Sequence, residues 1–438
     1  MNPEVGHSQP SGAAPGSAGE ARRSAPTRIP LSVLAKPTGA ACNLDCTYCF
    51  FLSKELLYDH DGQRMSESGL ETYLRNLLDS SPDGRVEIAW QGGEPTMRGL
   101  AFYRRAADLV EQLRRPRQQP AHVIQTNGTL LDDDWGEFLA ERGFLVGLSM
   151  DGPAELHDAY RVNKAGRGTH AQVMRGWEVL RRHRVETNIL CTVHHANEGH
   201  PLAVYRYFRD ELEARYLQFI PIVERVQHKD LQLAEQGWRT SEGARLLYQQ
   251  HGDAVTSRSV SPAGWGHFLT AIFDDWVTRD VGVVFVQHFD TMLGNLFGQY
   301  SLCIHSPECG RALAVEHNGD VYSCDHYVEP DYRLGNVADA SLQDMLRTPE
   351  QVEFGRSKRT GLTSQCQRCP VRWACHGGCP KDRFVTSVDG EPGQNYLCPG
   401  YEHFFSHAQP AITQMARYLR AGRPAADIMR GAAEAAGS

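Results

Sequence analysis

With 438 residues, 41% hydrophobic and 22% charged, the chain has apolar material for one large domain and a smaller one. Its net charge of −8 comes without a Lys/Arg-rich run or basic stripe, which argues against a nucleic-acid partner. No window approaches the roughly 18 apolar residues of a membrane helix and no apolar stretch of signal-peptide length opens the chain, so a soluble cytoplasmic protein is expected. In that reducing compartment the twelve cysteines point to metal or redox chemistry rather than disulfides.

Residues 1–28 are rich in Gly, Ser, Ala and Pro, with Arg22 and Arg23, and are expected to be a disordered N-terminal extension. Over residues 29–225 short apolar runs alternate with amphipathic stretches, the pattern of successive βα units. The spacing predicts strands at Leu31–Lys36, Arg85–Trp90, Ala121–Thr126, Phe144–Met150, Thr187–Val193 and Tyr216–Ile222. Helices are predicted at Glu67–Leu78, Leu100–Leu113, Asp132–Arg142, Ala171–His183 and Leu202–Glu213. Six such units define an α/β fold, a partial (β/α)6 barrel of parallel strands. Residues 226–300 read as a helical bridging segment, with helices near Ser241–His251, Trp265–Arg279 and His288–Phe297 and an apolar run at Val281–Val286. Residues 301–405 form a small cysteine-rich domain in which Val315–Cys324 reads as a β-hairpin turning at Asn318-Gly319. The tail, 406–438, is expected to be helical from Pro410 and to fray after Arg423.

In parallel α/β folds the reactive groups gather at the C-terminal ends of the strands. Four conspicuous segments sit there: Cys42–Cys49, Gln91–Pro95, Gln125–Gly128 and Ser149–Pro153. The first, Cys42-Asn-Leu-Asp-Cys46-Thr-Tyr-Cys49, places three thiols in a loop that can wrap one cuboidal iron–sulfur cluster. A fourth cysteine is missing. An electron-transfer ferredoxin needs four, whereas a cluster that binds substrate needs an open iron, as catalytic zinc needs an open position. A zinc site or buried structural cysteines are the plainer alternatives.

Tyr48 before the third cysteine and Gly92-Gly93-Glu94-Pro95 after the next strand make this region resemble the radical S-adenosylmethionine (SAM) superfamily. The resemblance implies a 4Fe–4S cluster on Cys42, Cys46 and Cys49 whose free iron chelates SAM and breaks it to a 5′-deoxyadenosyl radical. It also implies SAM contacts at Tyr48 on the adenine side and from Gly92, Gly93 and Glu94 to the methionine amino group. Ser149 and Arg161 fit the ribose and carboxylate contacts, and Ile222 would pack on adenine.

Eight further cysteines follow at 303, 309, 324, 366, 369, 375, 379 and 398, enough for two fully ligated clusters or for two zinc sites. The isolated Cys191 reads as a core residue. The Cys366-x2-Cys369-x5-Cys375-x3-Cys379 run with Cys398 resembles the SPASM auxiliary-cluster domain of peptide-modifying radical SAM enzymes. In that family the ligands interleave, which implies one 4Fe–4S cluster on Cys303, Cys309, Cys324 and Cys379 and another on Cys366, Cys369, Cys375 and Cys398, three clusters in all.

From Leu31 to about Phe405 the chain is similar to the anaerobic sulfatase-maturating enzymes. The residues that carry this are Gln91–Thr96, Gln125–Leu130, Ser149–Pro153 with His157, Asp158 and Arg161, Gln218–Pro221, and Cys324-Asp325-His326-Tyr327. The likeness implies oxidation of a cysteine or serine in a sulfatase Cys/Ser-x-Pro-x-Arg segment to Cα-formylglycine. A substrate radical formed at Cβ must lose a proton and an electron, and Asp325 beside Cys324 matches the family's proposed base. With a cysteine substrate the product is a thioaldehyde that water hydrolyses. Implied partners are the unfolded sulfatase polypeptide and a reduced flavodoxin or ferredoxin. Residues 1–28 have no obvious counterpart in the family pattern and Phe51 departs from the tyrosine of some relatives, which together leave room for a maturase of another ribosomal peptide that forms crosslinks or epimerises residues. The polar extension is too short for a winged-helix leader-binding module. A non-catalytic electron-transfer or zinc scaffold is opposed by the three-cysteine loop.

Overall fold

The computed structural model describes residues 28–58, 64–238 and 245–430. The disorder expected for residues 1–28 therefore lies outside it, apart from Arg28, whose guanidinium donates to Asp79 O at 2.9 Å.

Strands form on the predicted runs: β1 Ser32–Ala35, β2 Gly84–Trp90, β3 Gln118–Thr126, β4 Leu145–Ser149, β5 Glu186–Val193 and β6 Tyr216–Pro221. Each lies parallel to the next. Helices Glu67–Ser80, Leu100–Leu113, Asp133–Glu141, His170–Arg182 and Pro201–Arg206 make the crossovers, giving the expected partial barrel. Helix Glu67–Ser80 shows why the reading works. Leu70, Tyr73, Leu74, Leu77 and Leu78 recur on one face and are buried against the sheet, while the Ser66 hydroxyl caps the first turn by accepting from Gly69 N.

Two further parallel strands extend the sheet. β7, Phe285–Val286, lies beyond β6, and β8, Ala312–Val315, pairs with β1 in the register Ser32↔Ala312 to Ala35↔Val315. β9, Asp320–Tyr322, and β10, Arg333–Asn336, follow antiparallel, for the order β10-β9-β8-β1-β2-β3-β4-β5-β6-β7. The predicted hairpin is thus β8–β9. Gly319 sits in its turn at φ 88°, and Asn318 Oδ1 accepts from Asp320 N at 3.0 Å. Local spacing did not show that this hairpin joins the barrel's own sheet, covering the backbone groups that β1 would otherwise leave open at an edge.

Helices Pro262–Arg279 and Gln287–Asn295 form as expected, and the apolar run at Val281–Val286 supplies β7. The helix predicted at Ser241–His251 does not. Residues 241–244 lie outside the described residues, and 245–251 are irregular. Tyr248 N donates to Ser53 Oγ at 3.0 Å, Tyr248 O accepts from Lys54 Nζ at 3.0 Å, and Arg245 reaches Asp45 at 2.7 Å. Those ties claim backbone groups that a helix would need. The C-terminal helix begins at Cys398 rather than Pro410 and runs to Arg420 through the proline. Tyr401, Phe404, Phe405, Ala408, Ile412 and Met415 are buried on it. It packs on helix Pro262–Arg279 so closely that a Cβ on Gly400 would lie 2.9 Å from Gly266 N. This burial outweighs the one lost backbone donor.

Candidate active site

The Cys42–Cys49 loop leaves the C-terminal end of β1 and is held by its neighbours. Asp45 N donates to Val162 O at 2.8 Å and Thr47 N to Tyr160 O at 3.0 Å, so the segment that carries Arg161 clamps the loop from one side. On the other side Gly93 N donates to Gly39 O at 2.9 Å and Glu94 N to Ala41 O at 2.8 Å. The two glycines are required by this approach. A Cβ at Gly93 would overlap the Ala41 carbonyl, and at Gly92, where φ is 139°, it would lie 2.9 Å from Gly39 O.

Glu94 is 1% exposed. Its Oε1 accepts from Thr96 N, the Thr96 hydroxyl and the Thr126 hydroxyl at 3.0, 2.6 and 2.7 Å, and Oε2 accepts from Asn127 N at 2.7 Å. Burial pushes its carboxyl upward, and those donors pull it back. Its side chain therefore ties the β2 and β3 loops together. Asn127 in turn donates to Asn43 Oδ1 at 2.9 Å and points its amide at Cys42 Sγ, 3.9 Å away, while Leu44 N lies 3.3 Å from the same sulfur.

Arg161 and Tyr48 meet on Asp151. Arg161 Nε and the Tyr48 hydroxyl both donate to Asp151 Oδ2, at 2.8 and 2.7 Å, and Thr192 N donates to Oδ1 at 2.9 Å. Burial opposes the Asp151 charge, but Arg161 and His194 outweigh it and hold this carboxyl well below its usual range. Arg161 stays cationic, buried and aimed at the cysteine loop, its guanidinium 5.6 Å from the Tyr48 ring centre. Ser149 accepts from Gln125 Nε2 at 2.9 Å. Ile222 makes backbone bonds to Val193 and Val260, at 2.9 and 3.0 Å.

Asp325 follows β9 and sits at the seam with the barrel, where it forms an ion pair with Lys36 from the end of β1. Lys36 is 1% exposed and rests 3.9 Å from the Phe51 ring centre. Burial pushes the Asp325 carboxyl up, yet Lys36 and then His326 bring it below its ordinary value, so it is ionised at neutral pH.

The eight later cysteines fall into two groups. Cys303 lies within electrostatic reach of Cys309, Cys324 and Cys379, and Cys324 of Cys379; Cys366 lies within reach of Cys369, Cys375 and Cys398, and Cys398 of Cys369 and Cys375. The second four line a single cavity of about 470 Å³. Among the described residues no three His, Cys, Asp or Glu side chains converge closely enough to hold one metal ion. Thiols spread around a void suit a cuboidal cluster, and the donors already aimed at Cys42 Sγ suit a thiolate. Burial pushes Cys42, Cys46, Cys375 and Cys379 up to about 12. Cys191 is fully buried within β5.

Several participants escaped the sequence reading. Lys36 closes a predicted strand, and a lysine ending an apolar run just before a loop of cysteines is a readable signal. Asp151 and Asn127 lay inside segments already singled out. Their partners, 103 and 85 positions away in Tyr48 and Cys42, could not be read locally.

A barrel whose first loop carries three thiols beside a Gly-Gly-Glu-Pro turn, joined to a domain with two groups of four cysteines, defines a radical SAM enzyme with auxiliary iron–sulfur clusters. Residues 37–208 match the radical SAM superfamily model, and residues 303–370 match SPASM, the iron–sulfur cluster-binding domain. A serine-type anaerobic sulfatase-maturating enzyme of Bacteroides thetaiotaomicron is 43% identical over 93% of this chain and 96% of its own length. The cysteine-type enzyme of Clostridium perfringens is 33% identical over 89% of this chain and all of its own. Native anSMEcpe, solved with bound AdoMet and Cp18Cys peptide, superposes with a TM-score of 0.76 at 32% identity, covering 89% of this chain and 100% of that one. The chain belongs to the anaerobic sulfatase-maturating enzymes. It is a SAM-dependent oxidoreductase that works with 4Fe–4S clusters.

Proposed function

We propose that this enzyme oxidises a cysteine or serine in a sulfatase Cys/Ser-x-Pro-x-Arg segment to Cα-formylglycine, taking the unfolded sulfatase polypeptide as substrate. Cys42, Cys46 and Cys49 hold the SAM-binding cluster. Cys303, Cys309, Cys324 and Cys379 hold one auxiliary cluster, and Cys366, Cys369, Cys375 and Cys398 the other. When bound, the first cluster and SAM supply a hydrogen-abstracting 5′-deoxyadenosyl radical. Arg161 and Ser149, with the backbone of Tyr48, Gly92 and Gly93, orient SAM, Glu94 braces that loop from beneath, and Ile222 packs on adenine.

Asp325 receives the thiol or hydroxyl proton of the substrate radical. The observation that carries this reading is its ion pair with buried Lys36, which keeps it a carboxylate one residue from Cys324. A base must be ionised before it can act, and a cluster held in part by neighbouring Cys324 would supply an acceptor for the departing electron. A reduced flavodoxin or ferredoxin in the cytoplasm is the electron source in this reading. Among the described residues no helix is long and apolar enough to cross a membrane.

The test is anaerobic incubation of reduced enzyme with SAM and peptides carrying Cys-x-Pro-x-Arg or Ser-x-Pro-x-Arg, followed by mass spectrometry for aldehyde and for 5′-deoxyadenosine. Both products should appear. Deoxyadenosine with neither peptide modified would overturn the substrate assignment and favour a different peptide client.

A further inference from the structure

Two cations, Lys358 fully buried and Arg383 half-buried, stand between the auxiliary cysteine groups, and among the described residues neither pairs with a carboxylate. Lys358, on helix Pro349–Thr360, is 0% exposed. Its ammonium donates to three backbone carbonyls, Ile304 at 3.1 Å, Ser306 at 2.5 Å and His376 at 3.3 Å. Arg383 donates to Gly377 O at 3.0 Å, Lys358 O at 2.7 Å and His376 O at 3.2 Å. Their neighbours Arg359 and Lys381 are paired with Glu308 and Asp382. Among the described residues Lys358 and Arg383 have no such partner.

Both are placed by the cysteine loops. Gly355 packs against Cys309, whose N donates to Gly355 O at 3.3 Å, and one helical turn later Lys358 reaches the Ile304 and Ser306 carbonyls that follow Cys303. His376, Gly377 and Gly378 are left-handed, with φ of 50°, 74° and 61°, so the Cys375–Cys379 turn presents the His376 and Gly377 carbonyls to the two cations. That turn carries one cysteine of each group. Burial, with Arg383 close by, pulls the Lys358 ammonium down to about 8, and Cys375, Cys309 and Cys379 act in the opposite sense. A buried charge without a counter-charge is costly; with Glu308 engaged by Arg359, the loop anions left to face Lys358 and Arg383 are the cysteines, as thiolates.

We infer that Lys358 and Arg383 form a cationic bridge between the two auxiliary clusters, partly offsetting the negative charge of their eight thiolate ligands and making the clusters better electron acceptors. This rests on the ligand groups proposed above. Taking up the electron released by the substrate adds one negative charge to a cluster already negative through its thiolates. A fixed positive charge in a low-dielectric interior favours the more reduced state. Lys358 and Arg383 act in this proposal only through the clusters, as tuning residues.

The test is a redox titration of the anaerobically reconstituted full chain, followed by electron paramagnetic resonance, with iron content measured on the same samples. Wild type should hold about twelve irons; about four would mean that the ligand groups themselves are wrong. Lys358→Met should keep its iron and show, at a fixed potential, at least a tenfold lower reduced-to-oxidised ratio, about 59 mV for a one-electron couple. Lys358→Arg should restore the wild-type ratio. Full iron with unchanged potentials in Lys358→Met would overturn the bridge. If Lys358→Met loses the auxiliary iron, retention of that iron by Lys358→Arg would support a charge requirement, and equal loss in both would overturn it.

Discussion

The two cysteine regions handle buried charge in opposite ways. Around Cys42–Cys49 every buried ion has a partner or a full set of donors: Arg161 lies on Asp151, and Glu94 accepts four hydrogen bonds. Around the later cysteines Lys358 and Arg383 are left to backbone carbonyls. A site that must admit and release SAM needs to be electrically settled without its ligand. A region that keeps its clusters can hold counter-charge that only the clusters complete.

The sharpest break of that comparison is Cys46→Ala. It should remove about four irons per chain and abolish deoxyadenosine formation while leaving the auxiliary signals in the paramagnetic spectrum. Next, Asp325→Asn should lower aldehyde formation by about 10²–10⁴-fold with deoxyadenosine still produced, as read by mass spectrometry of both products. Normal turnover would remove Asp325 from the proton step.

Smaller effects sharpen the SAM side. Gly93→Ala drives a Cβ into the Ala41 carbonyl, and the loops must separate at a cost of about 1–3 kcal/mol, visible as weaker SAM binding in equilibrium dialysis. Glu94→Gln turns an amide donor toward one of the donors that Glu94 now accepts. Thermal unfolding should report a loss of about 1–3 kcal/mol. Smallest is a proton count. Because burial holds Cys42, Cys46, Cys375 and Cys379 at about 12, each is a thiol at neutral pH. Cluster assembly should release about one proton per such ligand, and raising the pH should favour it. A pH-stat showing no release would mean that the thiols were already ionised.

Periodicity alone placed the six barrel strands, because an apolar run between turn residues reports its own burial. It misjudged Ser241–His251, where Tyr248 is bound to Ser53 and Lys54 nearly two hundred positions earlier. It also missed the start of the last helix. Cys398 stands at its first turn, and the helix crosses Pro410 because its apolar face is buried against Pro262–Arg279. The same holds at the site. The proposed ligands Cys42, Cys46 and Cys49 are legible since ligands within one loop must be close in sequence. The Asp151 hub and the Lys36–Asp325 pair are joined only by folding.

The sequence by itself determined the three-cysteine loop, the Gly-Gly-Glu-Pro turn, the eight later cysteines and the parallel α/β pattern, since each is written in neighbouring residues. Tertiary structure decided that β8 joins β1, that Lys36 meets Asp325, and that Lys358 and Arg383 stand uncompensated between two cysteine groups. Strand pairing and buried charge depend on which distant segments share a low-dielectric interior, and local spacing carries no information about that.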